Sequence, residues 1–229
     1  MAPHAIVSYD DTQNDHDALA LGRTLRDAGA RLTLAYVRHS ARRRPDEEDL
    51  SQHEAEALLV RGALSLDDQS IERRVVISAS TGEGLGWLAA QEGADIIVFG
   101  SDYRTPVGHV AIGRSAEWLL EGGPSALALA PAGYAATAGG GDVAMIGLLT
   151  GSSDEAAIET AFSIADRLGA RVTDADRGVD LLIVGSRSEA REGQVMITSR
   201  AAHAIEQATS PVLIVARGVP LSFETLVTA

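Results

Sequence analysis

The chain has 229 residues, enough for one large or two small domains with cores of their own, and 45% of them are hydrophobic and 22% charged, as in an ordinary globular protein. A formal net charge of −13 argues against nucleic acid as a partner, because duplex binding rests on neutralising phosphates with a basic surface. The absence of cysteine and lysine removes thiolate chemistry, disulfides, Schiff bases and Walker-type phosphate lysines, and without a spanning apolar run or a basic leader a cytoplasmic protein with no membrane partner is expected.

Ala5 to Tyr9 is a short apolar run that predicts a first strand, ending in Asp10-Asp11-Thr12. Asn14 or Asp15 is placed to cap the following helix, whose Ala18, Leu21, Leu25 and Ala28 recur at helical spacing, and Gly29 to end it. Arg31 to Val37 reads as strand two. A polar loop follows, in which Arg42 to Arg44 are answered at once by Pro45-Asp46-Glu47-Glu48-Asp49. A long helix is predicted from about Glu47 to Leu66, strand three at Arg73 to Ile77, a helix from Thr81 carrying Leu85, Leu88 and Ala89, and strand four at Ile96 to Phe99. This alternation predicts parallel βαβ units with right-handed crossovers.

Gly100 to Pro131 reads as a long loop, a helix (Ile112 to Leu120) and strand five (Ala126 to Ala130). In an open parallel sheet, ligands sit at the carboxyl ends of strands, and a glycine-lined loop leading into a helix presents backbone N–H groups to an anion. Arg104 and Arg114 are the donors in this stretch able to oppose the acidic charge of the whole. Ala132 to Asp142 is small and glycine-rich, a linker by composition.

Beyond it the chain repeats itself. Gly29-Ala30-Arg31-Leu32-Thr33 returns as Gly169-Ala170-Arg171-Val172-Thr173, and Gly93-Ala94-Asp95-Ile96-Ile97-Val98-Phe99-Gly100-Ser101 as Gly178-Val179-Asp180-Leu181-Leu182-Ile183-Val184-Gly185-Ser186. Gly108 returns as Gly193, and the closing strand as Pro211 to Ala216. The second copy lacks room for the long helix, strand three and the next helix, or for an ordinary parallel crossover between Thr173 and Leu181. A small sheet of three or four strands is expected there, with Val172-Thr173 at most a rudimentary edge.

These residues resemble a tandem universal stress protein over nearly the whole chain: the aspartate of Ser8-Tyr9-Asp10, the GARLTLAYV and GADIIVFGS strands, and above all Gly100 to Pro131. The resemblance implies two α/β domains of the adenine-nucleotide-alpha-hydrolase type, a complete one over 1–131 and a truncated one over 143–229 joined by the linker 132–142. It implies a parallel sheet ordered 3-2-1-4-5, with the last strands, Ala126 to Ala130 and Val212 to Ala216, paired within the chain as a pseudo-dimer. The family's nucleotide-binding branch carries G-x-x-G, nine residues, then glycine followed by serine or threonine. Carried over, Asp10 takes the aspartate role, Val37 the strand-two backbone contact to adenine, and Gly100 and Gly113 the first and third glycines. Tyr103 stands at the second glycine and Arg114 at the serine or threonine, with Ser115 one place late; Arg104 adds a nearby cation. The function implied is stress-response signalling by binding ATP or another adenine nucleotide, with or without Mg²⁺. The alternatives are a stress protein acting through protein partners alone and a weak ATPase. Whether two chains associate further is left open.

The second copy departs further from the pattern, with Thr150 in the place of Asp10 and Ser188 and Thr198 in place of glycines, and reads as a structural partner. Asp10-Asp11 as a Mg²⁺-binding acid pair of the phospho-receiver kind lacks its lysine, and the pair equally suits loop and helix capping. The six histidines have no metal-ligand spacing, His109 reads as a solvated loop residue, and Trp87 and Trp118 read as core or interface.

Overall fold

A computed structural model describes residues 2–39, 52–137, 143–149 and 155–223. The first part of the chain forms β1 (His4–Ser8), α1 (Gln13–Asp27), β2 (Arg31–His39), α2 (Gln52–Ser65), β3 (Glu72–Ser78), α3 (Thr81–Glu92), β4 (Ile96–Gly100), α4 (Arg114–Leu120), β5 (Glu121–Gly123) and β6 (Ala126–Ala130). A short α5 (Tyr134–Thr137) follows, then β7 (Met145–Leu148), α6 (Glu155–Leu168), β8 (Arg171–Thr173), β9 (Leu181–Gly185), β10 (Val195–Met196), α7 (Ser199–Glu206) and β11 (Val212–Val215). The Arg42 to Arg44 run, the start expected for the long helix, Thr150 and the end of the expected linker lie outside the described residues.

Nine strands make one sheet in the order β3-β2-β1-β4-β6-β11-β9-β7-β8, and β5 pairs with β10 in a small antiparallel ribbon beside it. Every neighbouring pair in the large sheet is parallel except β6 and β11, where Leu129, Ala128 and Leu127 face Val212, Leu213 and Ile214 in antiparallel register. The run β3-β2-β1-β4-β6 thus has the expected 3-2-1-4-5 order, with β6 as the fifth strand, and the closing strands of the two repeats pair as expected.

Because the sheet is covered on both sides, its central strands are apolar throughout rather than alternating. Val7, Leu21, Leu34, Leu59, Ile183 and Leu213 fill one core, under α1, α2 and α6; Ile6, Leu85, Ile97, Leu119, Ile205 and Ile214 fill the other, under α3, α4 and α7. Each such buried side chain contributes roughly 1.5–3 kcal/mol.

The repeat read in the sequence is a repeat of hydrogen bonds. Ser101 Oγ donates to Ala130 O (2.7 Å) and accepts from Ala111 N (3.1 Å), while Ser186 Oγ donates to Val215 O (2.8 Å) and accepts from Met196 N (3.3 Å). The Asp95 carboxylate accepts from His4 N (2.7 Å), and Asp180 accepts from Met145 N (2.9 Å). Gly108 and Gly193 both sit at positive φ, +83° and +77°, a conformation side chains resist.

In the second repeat, β8 is a three-residue edge strand parallel to β7. A helical crossover from β8 to β9 has no room, and the short return over 174–180 works because it crosses β7 at Gly147. A Cβ there would collide with the Ala175 carbonyl and lie 3.0 Å from Val179.

Three local expectations are corrected. Thr12 is the N-cap of α1, with Asp15 as the carboxylate of its capping box rather than the cap itself. Helix α4 starts at Arg114, not Ile112, because Gly113 remains extended. Of the core or interface placement expected for Trp87 and Trp118, the core half fails, since they are 58% and 51% exposed; the Trp118 ring lies over Gly86, where α3 and α4 cross.

Candidate functional site

The strand order turns at β1 and β4, whose neighbours β2 and β6 lead in opposite directions, so the loops after them part and leave a crevice at their carboxyl ends. The crevice holds about 730 Å³ and is walled by the loop after β1, the first turns of α1, the loop after β4 and the start of α4. Asp10, Gly100, Gly113, Arg114 and Ser115 all line it, together with Tyr103.

Val37 and Arg104 do not line it. The Val37 side chain is buried against α3, where a Cβ on Gly84 would come within 2.9 Å of it. Its backbone groups point the same way as those of Ala35, whose carbonyl accepts from Tyr9 N (3.0 Å), and are therefore directed past the end of β1. The Arg104 guanidinium lies 4.9 Å from the centre of the Tyr103 ring, and its Nε donates to the Tyr103 hydroxyl (2.6 Å).

Asp10 and Asp11 part company at the end of β1. Asp11, at φ +59°, accepts from the Tyr9 hydroxyl (2.7 Å) and from Arg61 of α2 (3.0 Å), contacts that hold its carboxyl below the ordinary range. Asp10 enters the crevice. Burial and then the neighbouring Asp15 charge push its carboxyl upward, although one side stays open to solvent. Burial also raises Asp15, against the pull of the hydrogen bonds it accepts from Thr12 Oγ1 (2.5 Å), Thr12 N (3.0 Å) and Asp10 N (3.1 Å).

The loop after β4 does not need glycine where the family pattern places its second one. Tyr103 has an ordinary negative φ, is 71% exposed, and sits inside a turn closed by Thr105 N donating to Asp102 O (2.9 Å). Gly100 does need to be glycine, for a reason unrelated to any ligand: a Cβ would collide with the Asn14 carbonyl in the first turn of α1. A Cβ on Gly113 would meet open space.

Two contacts of this site were not visible in the sequence, that of Asp17 and that of Asn14, expected only as a candidate helix cap. Asp17, fully buried on α1, accepts from Gly133 N (2.8 Å) through Oδ2 and from Ala135 N (2.8 Å) through Oδ1, pinning the chain after β6 to the crevice wall. Its only sequence signal is a carboxylate on the apolar face set by Ala18, Leu21 and Leu25. Asn14 Nδ2 donates to Ser101 O (2.6 Å) and ties α1 to the loop after β4. Asp17 also turns Ala132–Thr137, expected as linker, into a docked segment containing α5.

A doubly wound α/β sheet with a crevice at its switch point is the class of protein these features define. Residues 1–130 match the Universal stress protein family, and the chain belongs to that family. Among solved structures, a universal stress protein from Archaeoglobus fulgidus DSM 4304 is similar over 94% of this chain and 98% of its own, at 13% identity and a TM-score of 0.69. A functionally unknown protein from Pseudomonas aeruginosa PAO1 is similar over 94% of this chain and 93% of its own, at 13% identity and a TM-score of 0.64. At these identities the likeness is one of fold. No curated protein matches the chain.

Proposed function

We propose that the crevice after β1 and β4 binds an adenine nucleotide, and that the protein is a binding and signalling module of a stress response rather than an enzyme, acting in the cytoplasm. The observation that carries this reading is the meeting of Asp10, at the end of β1, with Gly100, Gly113, Arg114 and Ser115, from one stretch far along the chain, in one crevice of about 730 Å³. Arg114 supplies a guanidinium suited to phosphate oxygens where the family pattern has a hydroxyl. The backbone of Val37, past the end of β1, is in line to meet the base. The Asp10 carboxylate, which lines the crevice, is available to accept hydrogen bonds from ribose hydroxyls. We assign no residues to Mg²⁺: Asp11 is engaged by Tyr9 and Arg61, and no cluster of three ligating side chains occurs among the described residues. In this reading residues 1–131 are the ligand-binding unit, 132–142 the connection and 143–229 its structural partner.

Calorimetry with ATP, ADP and AMP on the folded chain tests it. Saturable binding lost in Asp10→Ala supports the proposal, and no heat at millimolar nucleotide overturns it.

One observation favours a second reading, in which the protein works through protein partners alone: the Tyr103 ring, capped by Arg104, stands at the mouth of the crevice. If Tyr103→Gly with Arg114→Ser creates ATP affinity that the native chain lacks, the native crevice is closed to nucleotide and the second reading holds.

A further inference from the structure

A second cavity, of about 720 Å³, lies where the two repeats meet, between α4 and α7 and beside the β5–β10 ribbon. Its walls come from matching places in the repeats. Ile112 and Leu120 approach from the first, and Ile197 and Met196 from the second, where Ile112 and Ile197 are equivalent positions. The rim is equally paired, with Glu121 and Glu206 equivalent, and with Glu117 beside them; all three are exposed.

Arg187 breaks the symmetry. It lies two residues after β9, half-buried in the cavity wall, where the first repeat has Asp102. Among the described residues its buried Nε has no hydrogen-bond partner, its Nη2 reaches only the Met196 sulfur (3.6 Å), and the side chain forms no ion pair. A guanidinium in this condition is costly, since a thioether is a weak acceptor and a buried N–H left unmade forfeits its full desolvation energy. Nothing in the fold requires a cation here: the backbone of Arg187 already donates to Met196 O (2.8 Å), a bond any residue makes.

We propose that this cavity is a binding site for a monocarboxylate with an apolar body, its carboxylate on Arg187 and its chain between Ile112, Leu120, Met196 and Ile197. One guanidinium inside an apolar space supplies a bidentate partner for a single carboxylate. The three rim glutamates repel anions in proportion to their charge, so phosphates and nucleotides are disfavoured more than a monocarboxylate. The site is separate from the crevice after β1 and β4 and stands whether or not that crevice takes a nucleotide.

The test uses the full chain with methyl-labelled isoleucine and methionine, titrated with octanoate, octylammonium and octan-1-ol and followed by NMR and calorimetry. Expected are saturable octanoate shifts at the Ile112, Met196 and Ile197 methyls, at least tenfold weaker binding of octan-1-ol and octylammonium, and at least a tenfold loss in Arg187→Gln. Ala202→Phe, which fills the cavity from α7, is to abolish the shifts and provides the same check if Arg187→Gln does not fold. Absence of saturable shifts, equal binding of octylammonium, or octanoate affinity unchanged in either folded variant overturns the proposal.

Discussion

The carbonyl of Asn14 occupies the space that a Cβ on Gly100 would need, so the first turn of α1 rests directly on the backbone at the end of β4. Gly100→Ala is expected to cost about 1–3 kcal/mol, the range for an overpacked contact against rigid backbone, read as a lower denaturant midpoint with unchanged slope. Gly113→Ala, whose Cβ meets open space, is expected to leave the midpoint nearly unchanged.

Asp17 holds two backbone N–H groups of the segment after β6. Asp17→Ala orphans both and is expected to cost roughly 3 kcal/mol, with amide exchange at Gly133 and Ala135 rising above that of the sheet. Asp17→Asn keeps one acceptor oxygen but turns an NH2 donor toward the other N–H, and is expected to recover only part of that loss.

Ser101 and Ser186 make the same pair of backbone contacts in the two repeats, just past strands that lie three spacings, about 14 Å, apart, and at opposite ends of the sheet because the β6–β11 seam is antiparallel. Their alanine variants are expected to cost similar amounts, about 1–2 kcal/mol each, and the double variant their sum to within about 0.5 kcal/mol. A marked excess in thermal or denaturant unfolding would mean that the repeats are coupled through the β6–β11 seam.

His4 is buried at the start of β1, its Nε2 2.8 Å from Thr33 Oγ1, and burial together with the Arg31 charge lowers its pKa below 6.5 against the opposing charges of Glu92, Asp95 and Glu72. A lowered folded-state value means that the unfolded chain takes up the proton first. The stabilising contribution is therefore complete above 6.5 and declines as pH falls through the lowered value. His4→Gln is expected to flatten that part of the stability profile.

Asp10 has the opposite sign. Its raised pKa favours the fold below the unfolded value of 3.8, and that contribution disappears as pH rises through the raised value. Asp10→Asn is thus expected to stabilise at pH 7, by less than about 1 kcal/mol for so open a group, and the gain is to shrink on acidification. The same variant is expected to weaken nucleotide binding about tenfold, so calorimetry and melting move in opposite directions.

Much of this fold was legible because its signals are local or repeated. Alternating strand and helix patterns predicted the βαβ units, and the second GVDLLIVGS copy marked Ser186 and Asp180 as counterparts of Ser101 and Asp95, whose hydrogen bonds only the structure shows. What escaped depends on contacts with distant chain. Asp17 finds its partners beyond β6; the Thr12 cap is different, since Thr12-Gln13-Asn14-Asp15 spells a capping box and its signal lies in the sequence itself. The β5–β10 ribbon is too short to have a period, and Gly147 is needed only because a connection happens to cross it. In the crevice, Tyr103 was read against a glycine position, whereas its turn adopts a conformation open to any residue.

The antiparallel seam of β6 and β11 joins strands of one molecule. An assembly of separate chains across such a seam obeys mass action and comes apart on dilution. Here the partner's local concentration is set by the covalent connection, so the joint persists at any abundance of the protein, and the two repeats are free to diverge without losing each other. Arg187, standing where the first repeat has Asp102, is one product of that freedom.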